Sequence, residues 1–490
     1  MNLLSHLSLF FIGSLVSSTM ALAATDMNSP ECTAFTKVAT GQRDDFKNGL
    51  QTDQIIVNRN GVNLYSWSDD TFTLDKLHPL WSSSVTIAAT LVGAAIQKGD
   101  LKIDSRLKEF FPQKLADPIQ QFYYDQITID HLLAMSSGLM WDESHKDDSK
   151  DSTIMKMLYG KDQMDMNQFV LSQVVEMMPG FKWNYNGGNA VVLMAILKKI
   201  YGNDQFADDL LFKPLKIKNA FFEKDASGNA IAAMYSYMTP ADMIKIGLLY
   251  LENGSYQGVQ ILPKAWVKKA QSPSSALSRS DTKTDPVNVA SLGVYSQRGF
   301  WLNQDLPSLK IEHEFKNSPT DMFFAAGNNG QLMIVLPTQK IVIALTGHSL
   351  EYWSKIDKLV SNAVACFSTG ALLAPLEDVP SPAIQKDDAK NFKLGTGVLA
   401  KGYLQAYVAK EVCSCHYVSQ LSFEQCIERL NVPVRTNQLE RILDIELDDN
   451  VQLLKVKPSL LGKSLSFGKA KSKEASFLGM GLGCRLNPAL

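Results

Sequence analysis

The sequence predicts an α+β protein with a small domain appended at its C-terminal end. Short β-branched and aromatic runs stand at both ends of the span from residue 54 to residue 345, and helix-like periods fill its interior. A proline-rich stretch then sets off a final segment of about 95 residues, enough for a small unit of its own. With 45% apolar and 20% charged residues the chain is of ordinary globular composition, which excludes fibrous, coiled-coil and disordered classes.

Gln54–Val57 and Val62–Trp67 read as strands joined through Asn60-Gly61, a strong hairpin signal because both residues tolerate the positive φ of a two-residue turn. Val85–Gln97 is dominated by Ala, Ile, Leu and Val, which reads as a buried helix, and Trp81-Ser82-Ser83-Ser84 precedes it. Serine at a helix start is ordinary capping chemistry, so Ser82 taken alone reads as an N-cap. Asp130–Met135, Met166–Met177, Ala190–Ile200, Pro240–Leu251 and Pro263–Lys269 read as further helices, two of them opening on proline. Gln331–Val335 and Ile341–Leu345 flank a turn as a second hairpin, and Tyr352–Cys366 returns to a helical pattern. This order suggests one sheet assembled from the two ends of a domain over residues 24–373. Residues 374–390 read as a linker. In the domain at 391–490, Tyr403–Val412 reads as a helix, and Ile442–Leu447 and Val451–Val456 as a hairpin around Asp448-Asp449-Asn450.

The net charge of −2, from 48 Lys and Arg against 50 Asp and Glu, gives no reason to expect nucleic acid or an anionic membrane surface as a partner. Met1 to Thr25 lacks charged side chains, Leu7–Val16 is apolar, and Ala21-Leu22-Ala23 has the small-x-small pattern of a signal-peptidase site. Residues 1–23 are therefore expected to be a secretory signal and the mature chain to be periplasmic or secreted. The missing basic n-region leaves a short membrane anchor as the alternative. No other stretch is long and apolar enough to span a bilayer. All six cysteines follow the expected cut, consistent with an oxidising compartment, and allow 15 complete pairings. Metal ligation by Cys413, Cys415, His416 and Cys426 competes with disulfides, although Cys-x-Cys is a poor match to zinc-site spacing. No cofactor motif is visible.

The segment Trp81-Ser82-Ser83-Ser84-Val85-Thr86-Ile87-Ala88-Ala89-Thr90-Leu91-Val92-Gly93 resembles the nucleophile segment of the serine β-lactamase-related hydrolases, which include class C β-lactamases, penicillin-binding peptidases, esterases and aminohexanoate-dimer hydrolases. Further landmarks follow in the family's order. They are Ile127 through Glu143 with its Ser136-Ser137-Gly138-Leu139, Pro179 through Asn189 around Tyr185, Tyr237 through Met243, Ile261 through Trp266, and Ala326-Gly327-Asn328-Asn329-Gly330-Gln331. The resemblance implies a β-lactamase/transpeptidase-like fold, an antiparallel sheet with helices on both faces and a helical subdomain. It implies an amide or ester substrate, small molecule or peptide, attacked by Ser82 with Tyr185 assisting proton transfer. Backbone N–H groups of Ser82 and Gln331 would form the oxyanion hole, and Trp141, Asn186, Asn328 and Gly330 would line the substrate site. The C-terminal segment around Cys413 and Cys484 resembles an accessory unit of some of these hydrolases, which implies a Cys413–Cys484 bridge; Cys32–Cys366 and Cys415–Cys426 are then guesses by elimination.

Three positions depart from the family pattern. Where S-x-x-K demands lysine the chain has Val85, which cannot accept a proton, and no register of the serine run restores the lysine. Gly187 replaces an Asn or Ser, and Asn328 a Lys or His. Tyr185 reads otherwise as a partly buried tyrosine beside a glycine turn, Trp141-Asp142-Glu143 as a solvated loop with an aromatic anchor, and His131 as a helix-start residue. The sequence thus leaves two readings open, a slow acyl-serine hydrolase and a non-catalytic descendant that binds an acyl-amide, peptide or cell-wall ligand.

Overall fold

Asn60 and Gly61 adopt φ of 53° and 86°, folding Thr52–Arg59 (β1) back on Val62–Ser68 (β2) as the hairpin the sequence predicts. The computed structural model describes residues 25–40, 50–143, 152–160, 164–277, 293–349, 352–368, 403–430, 443–448, 453–458, 473–477 and 484–486. The expected signal segment, the 374–390 linker and Asp449-Asn450 lie outside the described residues. Among those described, no helix is long and apolar enough to cross a membrane.

The main sheet is assembled from both ends of its domain. Its later strands are Val294–Tyr295 (β3), Trp301–Leu302 (β4), Phe323–Gly327 (β5), Gln331–Leu336 (β6) and Ile341–Gly347 (β7). The spatial order is β2-β1-β7-β6-β5-β4-β3, with every neighbouring pair antiparallel. β6 and β7 are buried along their whole length, which requires cover on both faces. Successive residues of β5 identify the two covers, because side chains alternate across a strand. Phe323 meets Tyr250 of Pro240–Leu251 (6.1 Å between rings), and Phe324 meets Trp353 of Trp353–Phe367 (5.7 Å). On the second side the Cys32–Cys366 disulfide joins Pro30–Ala39 (α1) to Trp353–Phe367, with Phe35 set edge-on against Phe367 and Tyr65.

Two helices carry the segments of interest, Ser83–Lys98 (α2) and Gly188–Tyr201 (α3), both buried on most of their surface. The helix expected over Met166–Met177 stops at Leu171. Beyond it the chain is extended, Val175 bridging Leu139 while Met140 N–H donates to the Val174 carbonyl at 2.8 Å, so sheet-like pairing displaces the last helical turns. The C-terminal unit consists of Tyr403–Cys413 (α4) packed on a four-stranded antiparallel sheet of Leu443–Asp448, Leu453–Pro458, Lys473–Phe477 and Cys484–Leu486. Its bridges are Cys413–Cys484 and Cys415–Cys426. The metal alternative is thereby overturned, since all three of its thiols are in disulfides.

The helix Pro240–Leu251 comes tightly against β7 at Gly247, where a Cβ would lie 2.3 Å from Cγ1 of Val342. Gly247→Ala is expected to lose about 1–3 kcal/mol of stability through overpacking. In urea unfolding the double substitution with Val342→Ala should be clearly less destabilising than the sum of the two singles.

Candidate active site

The start of α2 sorts three adjacent serines into different roles. Ser83 Oγ donates to the Gln331 carbonyl at 2.9 Å, and Ser84 Oγ is bonded to Ser236, whose N–H and hydroxyl lie 3.0 and 2.7 Å away. These two bonds tie the helix start to the main sheet and to the small sheet of His78–Pro79, Ser236–Met238 and Phe221–Phe222. Ser82 makes no such bond. Its backbone is already helical (φ −61°, ψ −15°) and its side chain caps nothing, which corrects the N-cap reading, because a capping side chain needs extended backbone. Its hydroxyl is half-buried and faces the phenol of Tyr185, whose ionisation it favours slightly. The Ser82 N–H has no hydrogen-bond partner among the described residues. Trp81, just before it, has φ of 48°, and the end of β5 lies beneath, so close that a Cβ on Gly327 would come 2.1 Å from the Leu80 carbonyl.

Val85 occupies the first turn of α2 and is buried among apolar neighbours. Tyr185 is also buried, stacked on Trp301 (5.9 Å, 13°) and edge-on to Tyr295 (5.6 Å, 87°). Burial foremost, then the nearby Tyr295 and Glu143, push its phenol well above the ordinary tyrosine range. The phenol is therefore protonated at neutral pH. It can relay a proton but cannot serve as a standing base.

Glu143 is the group that reading the sequence underrated. Trp141 and Glu143 are both buried, which overturns the solvated-loop reading, and they face one another because residues two apart in extended backbone share a side. The indole N–H of Trp141 and the backbone N–H of Gly187 both donate to Glu143 Oε2, at 2.5 and 2.9 Å. A Cβ on Gly187 would lie 2.9 Å from Glu143 Oε1, so the Glu143 carboxylate fills the space into which an Asn or Ser at 187 would extend. The Trp-x-Glu spacing was the available signal; that it reaches the tyrosine segment is a tertiary fact. Burial pushes the Glu143 carboxyl up to about 7.

The remaining expected residues are placed unevenly. Trp141 packs with Val170 against Gly188 and donates to Glu143, which places it beneath the tyrosine segment. Asn186 is buried; its Oδ1 accepts from Asn189 N–H at 3.2 Å as α3 begins, and its Nδ2 has no partner among the described residues. Asn328 is exposed, Asn329 and Gly330 turn the chain with φ of 62° and 90°, and Gly330 packs on Tyr352. The Gln331 side chain is wholly buried, donating to the Gly347 and Asn328 carbonyls. His131 Nδ1 accepts from Thr128 N–H in a capping box, the structural role read for it.

An antiparallel sheet covered by helices, with a serine at a buried helix start and a tyrosine against it, defines a β-lactamase/transpeptidase-like fold. The chain belongs to the Beta-lactamase family, whose family model matches residues 38–356. Among solved structures it is similar to a candidate 6-aminohexanoate-dimer hydrolase from Bacillus anthracis (18% identity, 65% of this chain and 79% of that one, TM-score 0.50). It is also similar to EstCE1, a hydrolase with promiscuous acyltransferase activity (14%, 68% and 98%, 0.53). A penicillin-binding protein homologue from Caulobacter crescentus matches to a like degree (14%, 69% and 98%, 0.51). At these identities the likeness concerns the fold. None of the curated proteins matches the chain.

Because the Glu143 carboxyl lies near 7 when folded and near 4.5 when unfolded, its protonated form favours the fold. Its contribution is full below about pH 4.5 and is lost as the pH rises through 7. Denaturant unfolding of Glu143→Gln beside the parent should show the parent losing about 3 kcal/mol more across that window. Ultraviolet difference titration against Tyr185→Phe should show no ionisation of Tyr185 below about pH 10.

Proposed function

We propose that the chain is an exported serine hydrolase of amide or ester bonds that works through an acyl-Ser82 intermediate at low intrinsic rate. One observation carries this reading: the hydroxyls of Ser83 and Ser84 are tied into the fold, whereas that of Ser82 is half-buried, makes no such bond and faces Tyr185. As Ser82 Oγ attacks the acyl carbon, its proton passes to the Tyr185 oxygen while the phenolic proton moves to the leaving group. Tyr185 is thus unchanged overall, and a neutral phenol suffices. The oxyanion would rest against the N–H groups of Ser82 and Gln331. Water then attacks the acyl carbon, and the same relay returns a proton to Ser82. Without the S-x-x-K lysine the rate should fall by about 10²–10⁴-fold, the usual worth of a general base.

The apolar, buried Val85 favours a second reading, a cleft that binds an acyl-amide, peptide or cell-wall ligand without turning it over. Intact-mass spectrometry after incubation with a fluorophosphonate separates the two. The first reading requires a single adduct that disappears in Ser82→Ala. An unmodified, folded parent would establish the second. Val85→Lys should raise the labelling rate by about 10²-fold or more if the rest of the site is competent.

A further inference from the structure

We infer that the C-terminal unit is a positioning element for the nucleophile, acting through Tyr407. The argument begins with Trp81. A non-glycine residue at φ 48° is held there only by its surroundings, and this one fixes the direction in which Ser82, the next residue, leaves the chain. Its indole is 6% exposed and has aromatic neighbours on two sides. Tyr235, from the main domain, lies 6.1 Å away between ring centres, and Tyr407, from α4 of the C-terminal unit, lies at 6.4 Å with its plane tilted by 31°. Tyr407 also meets Tyr159 edge-on at 5.7 Å.

Tyr407 is held on this spot by polar contacts one helical turn further along α4. Tyr235 donates its hydroxyl proton to Glu411, and the Tyr159 and Tyr235 hydroxyls are 2.7 Å apart, so the rings around Trp81 form one bonded set spanning both units. Lys410 pairs with the buried Glu223, which also accepts from Ser414 Oγ (2.7 Å) and from Cys484 N–H (3.3 Å). Arg429 reaches Asp53 at 3.1 Å, and the same carboxylate meets His78, three residues before Trp81, at 3.2 Å. The Arg429–Asp53 pair resists displacement, because separating it would leave a buried carboxylate and a largely buried guanidinium uncompensated. The unit is thus fixed to the main domain at points that surround the residue preceding the nucleophile. Loss of the Tyr407 ring would open space beside Trp81, allow it to relax to negative φ and turn Ser82 away from Tyr185.

The test uses the full chain and does not depend on whether Ser82 turns over a substrate. All six cysteines are in disulfides, so Ser82→Cys creates a single free thiol whose alkylation by iodoacetamide can be timed by intact mass. In that background Tyr407→Ala is expected to change the alkylation rate at least tenfold, while Tyr407→Phe, which keeps the ring, leaves it within twofold. Val456→Ala, within the C-terminal sheet, should lower the unfolding midpoint without moving the rate, which separates positioning from loss of stability. In parallel, fluorophosphonate labelling of the chain with native Ser82 should slow by at least tenfold in Tyr407→Ala. A parent that is not labelled would refute the hydrolase reading alone, and the thiol measurement would still decide this one. Equal alkylation rates in the parent, Tyr407→Ala and Tyr407→Phe overturn the inference. Should Tyr407→Ala fail to fold, Tyr407→Leu, which keeps bulk without the aromatic plane, is read by the same criterion.

Discussion

The architecture of the site depends on the anchoring of the α2 N-terminus by two hydroxyl groups. Ser83 fastens it to the edge of β6 and Ser84 to the small sheet, so the position of Ser82 is set by two sheets at once. Each bond alone is worth about 1 kcal/mol, but both are buried, and removing either would strand an unsatisfied polar group at further cost. Two of the three adjacent serines thus have structural bonds of their own, separate from the role proposed for Ser82. This means that Ser82 can change without loosening the helix, whereas its two neighbours cannot.

Much of the fold was legible in the chain. The Asn60-Gly61 turn, the helix opening at Pro240 and the pairing of the first hairpin with the last strands all follow from local chemistry that the tertiary structure leaves intact. The reading failed where two distant segments compete for the same backbone. The extended pairing of Leu139–Met140 with Val174–Val175 cut short a helix that periodicity alone would have continued. The resemblance singled out Ser82 from three serines, and the structure gives the other two separate bonds, but the supports of the site were not legible. That Glu143 reaches Gly187 across more than forty residues, or that Tyr407 lies beside Trp81, cannot be read from spacing.

The departures from the family pattern are not equivalent in physical terms. Gly187 is matched by a group from elsewhere, since the Glu143 carboxylate fills the volume that a side chain there would take. Val85 is not matched in this way. It is buried where the sequence resemblance implies an ammonium group, and the aromatic packing of Tyr185 raises the cost of any charge nearby. One substitution reshapes the site while preserving polarity; the other changes the site's electrostatic character.

The three disulfides bear on the order in which the chain matures. Cys32–Cys366 spans 334 positions, so no oxidant can close it until nearly the whole first domain has been synthesised, and the early thiol must stay reduced and shielded during that interval. Cys413–Cys484 spans 71 positions and Cys415–Cys426 only 11, and neither crosses into the first domain. Cys366 is the nearest cysteine to Cys32 along the chain, so the competition falls on Cys366, whose loops to Cys413, Cys415, Cys426 and Cys484 are all shorter than its native one. Packing of Pro30–Ala39 on Trp353–Phe367, with Cys32 and Cys366 both buried and Phe35 against Phe367, lets folding bring Cys366 to Cys32 before the last four thiols compete for it.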